Sequence, residues 1–70
     1  MSFRIVKNIS VLSTSDKGWT KEVNFVEWFG NKAKLDIRDW SPDHSVMGKG
    51  VTLTEEEVKA LKEVLNTMEL

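Results

Sequence analysis

A chain of 70 residues with no cysteine and a single histidine has to hold itself together with a small core and few staples. At this length folding removes only about 60–65% of the chain's surface from water, and one core rarely supplies more than about 3–5 kcal/mol. Small domains close the gap with disulfides, a structural metal or a partner subunit. Without cysteine, disulfides and thiolate metal sites are excluded, and one histidine cannot build a His-rich zinc site. Self-association is the device left. The chain is therefore expected to be one domain, residues 1–70, that works as a homodimer without a cofactor.

The remaining composition, 40% hydrophobic and 30% charged, is too apolar and too evenly charged for a disordered chain. No window holds the 18 or more apolar residues of a membrane span. Residues 1–8, Met-Ser-Phe-Arg-Ile-Val-Lys-Asn, show no apolar stretch ahead of a small-residue cleavage site. A cytoplasmic protein with no membrane contact is expected.

Alternation then defines the elements. Residues 3–12 are rich in Ile, Val and Leu, with Phe3, Ile5, Ile9 and Val11 at one parity, which predicts a strand. A polar turn ending at Gly18 leads to a second strand, 19–28. Gly30-Asn31 marks a hairpin, and 33–40 alternates as a third strand. A loop begins at Ser41-Pro42-Asp43 and runs through Gly48-Lys49-Gly50, before a short fourth strand at 50–53. Thr54 and Glu57 match a capping box, and Glu55, Glu56 and Glu57 suit the positive end of a helix dipole. The spacing predicts a helix over 55–68. The fold class is α+β: a four-stranded antiparallel sheet followed by one C-terminal helix, ββββα.

One face of that sheet is apolar on paper. Ile5, Ile9, Val11, Val23, Phe25, Leu35, Ile37, Val51 and Leu53 are odd-numbered and are expected to form the core against the helix, with Lys7 and Lys21 breaking the rule. Val58, Leu61, Leu65 and Met68 line one helix face. So small a sheet covers only part of that stripe, which makes these four the expected dimer interface. The even face should be polar, yet it carries Trp28 and Trp40 beside Lys34 and Arg38. Aromatic rings stack on bases while cations meet phosphates, as on single-strand binding platforms. Cross-strand packing or a subunit contact also accounts for exposed tryptophans. Trp19 is expected as core or as a cover over the sheet edge.

The stretch Leu35-Asp36-Ile37-Arg38-Asp39-Trp40, followed by Gly48-Lys49-Gly50-Val51-Thr52-Leu53-Thr54, resembles the transcriptional positive cofactor four family. The likeness is closest to its small bacterial YdbC-like members, which the segments Lys17-Gly18-Trp19-Thr20-Lys21-Glu22 and Ser41-Pro42-Asp43-His44 also resemble. The resemblance implies a homodimer that grips single-stranded DNA in channels of its curved sheets, with the transcription machinery as a candidate partner. Arg38 and Lys49 match basic family positions and Trp40 matches an aromatic region. Either Trp28 or Phe29 falls where the family keeps an aromatic near the hairpin. Here Asp39-Trp40-Ser41 replaces the two consecutive aromatics of eukaryotic members.

The expected nucleic-acid contacts are thus Trp28 and Trp40 for bases, and Lys21, Lys32, Lys34, Arg38 and Lys49 for phosphates. RNA is a second candidate ligand. Gly48 and Gly50 are expected to let a nucleic-acid backbone approach Lys49 closely. Residues 1–53 hold eight Lys/Arg against six Asp/Glu, whereas residues 54–70 hold two against five. A mildly basic sheet with an acidic helix fits a polyanion on one side only. An enzyme is not expected: the lone histidine, His44, lies in a loop and is the only general base of the neutral-pH type, and Gly48-Lys49-Gly50 is too short for a phosphate loop. The competing reading is a dimeric protein–protein interaction module, which would not need its cations beside its tryptophans.

Overall fold

The structure, a computed structural model, describes residues 2–69. Four strands follow one another, β1 (Phe3–Thr14), β2 (Thr20–Trp28), β3 (Lys34–Trp40) and β4 (Met47–Leu53), and α1 (Glu55–Thr67) ends the chain. They form a single antiparallel sheet in the order β1-β2-β3-β4. This is the expected ββββα architecture. The helix starts where its cap dictates: the Glu57 amide donates to Thr54 Oγ1 (3.2 Å) and the Thr54 amide to Glu57 Oε1 (2.8 Å).

The two faces do not divide the residues as alternation suggests. β1 has 12 residues and β2 has 9, and register shifts fall between Ile5 and Lys7, Asn8 and Ser10, and Val11 and Ser13. Val6, Ile9 and Leu12 are therefore left without partners. Each bulge resets the parity of the residues after it and tightens the strand's bend and twist. Ile5 ends up opposite Val26 and Val11 opposite Glu22, and directly opposed residues share a face. Two of the expected odd-face core residues thus lie on the even face, and Ile9 sits in a bulge. Lys7 opposes Phe25 and Lys21 opposes Ser13, so both lie on the exposed odd face.

Burial is inverted as well. The buried residues are Val26, Trp40, Glu22, Asn24, Asp36 and Ser41; the five that lie within β2 and β3 belong to the even face. On the odd face Phe25 and Val51 are exposed, and Val23, Leu35, Ile37 and Leu53 are half-buried. No residue of α1 is buried, and Val64, Leu65 and Met68 are exposed. The expected core against the helix is thus a correction: that layer is an open, largely apolar surface. The Cα radius of gyration, 13.0 Å, exceeds the roughly 11 Å of a compact chain of this length. The open odd face and the loosely packed helix are consistent with that excess.

β4 starts at Met47, earlier than the alternation of Val51-Thr52-Leu53 reveals. Arg38 pairs with Gly50 and Trp40 with Met47, so Gly48 and Lys49 bulge opposite Asp39. A Cβ at Gly50 would overlap Arg38 Cβ and the Ile37 carbonyl oxygen, and one at Gly48 would lie 3.1 Å from Asp39 Cβ and 3.7 Å from the Trp19 ring. These glycines admit β3 and Trp19 rather than a ligand. Trp19 covers this end of the sheet.

Residues 41–46 close that end. Ser41 N donates to the Val46 carbonyl and His44 N to the Ser41 carbonyl, both at 2.9 Å. Asp43 accepts from Ser41 Oγ, Ser45 N and Ser45 Oγ, and the Ser45 bonds lead in holding its carboxyl down at about 2. His44, with φ 60°, reaches back to β2, where its Nε2 lies 2.7 Å from Glu22 Oε2. Burial pushes the Glu22 carboxyl up. Hydrogen bonds with Thr20, Asn24 and His44, together with the His44 charge, outweigh burial and leave it below its ordinary value.

Gly50→Ala should cost about 3 kcal/mol or more, because the overlapping atoms are the β3 backbone and the Arg38 Cβ bonded to it, which cannot yield. Thr54→Ala should cost about 1 kcal/mol. Chemical denaturation of the two variants checks the order. A carboxylate whose folded pKa is lowered contributes stability above its ordinary value and loses it as pH falls through the folded value. For Asp43 that window runs from 3.8 down to about 2, and for Glu22 it opens at 4.5. Thermal melts should therefore fall below pH 4.5, and Glu22→Gln should flatten the upper part of that decline.

Candidate nucleic-acid interface

Alternation along β2 and β3 places Trp28, Lys34, Asp36, Arg38 and Trp40 on the even face, with Thr52 of β4 opposite Asp36. At the hairpin end of this face lies an open groove of about 380 Å³, lined by Trp28, Asn31, Lys32, Lys34, Arg38, Met47 and Thr52. Its size suits a small planar ligand group.

A buried carboxylate organises the groove. Asp36 is 0% exposed and receives Arg38 Nε at 2.8 Å, Arg38 Nη2 at 2.9 Å and Thr52 Oγ1 at 2.9 Å. Two parallel bonds from guanidinium to carboxylate fix the plane of the arginine as well as its position. Arg38 Nη1 adds bonds to the Gly48 carbonyl at 3.3 Å and Met47 Sδ at 3.7 Å. So held, Arg38 Cζ stands 4.8 Å from the Trp28 ring centroid, within the range of a cation–π contact. Arg38 is thus internally neutralised and stacked on Trp28. The arginine expected to meet a phosphate is also held by Asp36, while its side chain stays 15% exposed and lines the groove.

Trp40 also differs from expectation. It is 1% exposed, with Phe3 at 5.5 Å and His44 stacked at 5.7 Å and 27°. Its ring offers no open face for a base. Phe3 also touches Trp28 at 5.8 Å, so Trp28, Phe3, Trp40 and His44 form a continuous aromatic row. The indole nitrogens of Trp28 and Trp40 are buried without partners among the described residues.

The lysines separate into three positions. Lys32 and Lys34 are exposed and line the groove beside Trp28. Lys49 is exposed in the β4 bulge and is not part of the lining. Lys21 opposes Ser13 and Asp39, on the face away from the groove, so Lys21 and Lys49 do not join the expected constellation. Phe29, at φ 54°, is exposed at the hairpin tip and lies outside the lining, which leaves Trp28 as the groove's aromatic.

Asn31, Met47 and Thr52 belong to the groove without having been singled out from the sequence. Thr52 carried a signal, being flanked by Val51 and Leu53 of the opposite parity. Met47 carried none, because the bulge at Gly48-Lys49 disguises its strand as a loop. Among the described residues no group of His, Cys, Asp or Glu side chains is arranged to hold a metal. Among them, too, no helix is long and apolar enough to cross a membrane.

Two comparisons place the chain among known proteins. A protein of Treponema pallidum (strain Nichols), described as uncharacterized, is 50% identical over 68 residues, covering 97% of this chain and 80% of that protein. The family described as Transcriptional Coactivator p15 (PC4) matches residues 15–64, a span that includes β2, β3, β4 and most of α1. The chain belongs to the transcriptional coactivator p15 (PC4) family.

Proposed function

We propose that the protein binds single-stranded DNA along the groove of its even face and does so as a homodimer. Family membership supports a single-stranded DNA-binding domain of the coactivator type, without catalysis. The observation that carries the finer reading is the convergence of Trp28, Lys32, Lys34 and Arg38 around one groove. A protein-docking module would have no need of that convergence. A base stacks at Trp28 beside the fixed guanidinium, and Lys32 and Lys34 meet the adjoining phosphates. Arg38 acts by presenting Trp28 and a planar cation rather than by neutralising phosphate, since Asp36 already holds its charge. RNA offers the same bases and phosphates, and the ribo form of the same oligonucleotide serves as its test.

The homodimer is supported by the apolar layer that one protomer leaves open. The exposed area is 5448 Å², against about 4,450 Å² for a compact monomer of this mass by the usual scaling. The surplus, about 1,000 Å², is comparable with the roughly 800 Å² that each partner buries in a standard interface. Val58, Leu61 and Leu65 lie on the helix that borders this layer, and Met68, expected as its last residue, caps its end in extended conformation. Leu61→Asp should dissociate and unfold the protein together, as read by sedimentation and circular dichroism. A variant that remains folded, and a wild type that sediments as a monomer at micromolar concentration, would remove the dimer from this reading.

Titration of a labelled oligothymidylate at two salt concentrations, against a duplex competitor, tests the groove. Trp28→Ala should cost about 1–3 kcal/mol, nearly independent of salt, because stacking releases few counterions. Lys34→Ala should lower the single-strand salt slope by about 0.7. Arg38→Ala should weaken binding while leaving that slope nearly unchanged. Duplex DNA should compete poorly, because its bases are already stacked. A Trp28→Ala protein that binds as well as the parent would defeat the assignment.

A further inference from the structure

The cluster of Glu22, Trp40 and His44 lies outside the groove and has no part in the binding proposed at Trp28. Glu22 is 2% exposed and already has Thr20 and Asn24 as hydrogen-bond partners on its own strand. It nevertheless takes a third partner from a distant loop, His44 Nε2 at 2.7 Å. That bond holds the imidazole nearly parallel to the Trp40 ring, at 5.7 Å and 27°. The loop adopts φ 60° at His44 to reach it, a conformation uncommon for residues other than glycine. Trp40 Nε1 is buried without a partner among the described residues.

A planar heteroaromatic ring stacked on an indole, oriented by a hydrogen bond at its edge, has the geometry of a bound base. We propose that His44 occupies, in the free protein, the place of a nucleobase on Trp40, so that residues 41–46 form a clasp which a base of the bound strand displaces. The inference rests on the nucleic-acid reading of the even face and extends it from Trp28 to the far end of the aromatic row. Phe3 touches both tryptophans, so a strand stacked at Trp28 meets Trp40 along one continuous track. The charged groups around the clasp favour its closed form without sealing it. Glu22 faces the imidazole from β2. Asp43, in the same loop, is engaged by Ser41 and Ser45. Arg38, which opposes Glu22 on β3, is committed to Asp36. One hydrogen bond and one stack therefore hold the His44 ring in the clasp, and His44 itself remains 42% exposed at its side chain.

A competing internal ring lowers apparent affinity by the fraction of molecules that are closed. His44→Ala should therefore bind oligothymidylate more tightly, by about tenfold if the clasp is closed about nine-tenths of the time. The free variant should show tryptophan fluorescence more open to acrylamide quenching than the parent. In the wild-type protein, the carbon-bound ring protons of His44 should carry ring-current shifts from Trp40. Saturation with oligothymidylate should return them to the values of a free histidine. If the parent binds while these protons stay shifted, or if His44→Ala binds equally or more weakly, the clasp is overturned and the groove at Trp28 stands. If the parent does not bind oligothymidylate at all, both readings fall.

Discussion

The bulging of β1 is the constraint on which the rest of this structure depends. Twelve residues run against nine, so the strand must curl, and the extra residues recur at Val6, Ile9 and Leu12. A strand that curls in this way brings Phe3 against both Trp28 and Trp40. The even face is thereby enclosed enough to bury Glu22, Asn24 and Asp36. The same curl leaves the odd face as the outer surface, with only α1 lying loosely across one end. A flat sheet with the same sequence would have put its apolar face inside and its tryptophans in solvent.

Burying the polar face sets strict conditions on its side chains. A carboxylate removed from water is costly unless it is paired and fully hydrogen-bonded. Asp36 meets that condition with a bidentate arginine and a threonine, and Glu22 with Thr20, Asn24 and His44. Both solutions fix an aromatic neighbour as a by-product: Arg38 lies over Trp28, and His44 over Trp40. The aromatic rings that give the face its chemistry are thus positioned by the groups that neutralise its buried charge. Asn24 Oδ1, buried without a partner among the described residues, is an acceptor of this face for which the structure offers no account.

Much of this was legible in the residues, because local rules act locally. The capping box at Thr54 and Glu57, the hairpin at Gly30-Asn31 and the alternation of β2 and β3 each arise from a few neighbouring side chains. The grouping of Trp28, Lys34 and Arg38 on one face comes from parity alone. What alternation could not carry was any feature that depends on a bulge. Three bulges scramble the parity of β1, and a fourth hides the start of β4 behind Gly48-Lys49. Gly50 illustrates the difference: an absent side chain signals a close approach, but only the register with Arg38 identifies what approaches. Asp36 and Arg38 stand two apart on one strand face, a spacing equally compatible with an ion pair and with a free phosphate ligand. The structure shows the ion pair, with Asp36 fully buried.

The two faces meet in one short segment. Lys32 and Lys34 line the groove beside Trp28, and with Ala33 they also line an apolar hollow formed by Phe25, Leu35, Leu53 and Val58 on the helix side. A lysine can lay its aliphatic stem along apolar surface while its ammonium stays in water. At these two positions the same side chains border both the open apolar layer and the groove. Closing that layer with a second protomer would restrict the stems and leave the ammonium groups hydrated, reducing the rotamer freedom still to be lost when a phosphate is bound. Assembly would in that way pre-organise the groove without contributing a contact to it, and the coupling would pass through the hairpin that joins β2 to β3.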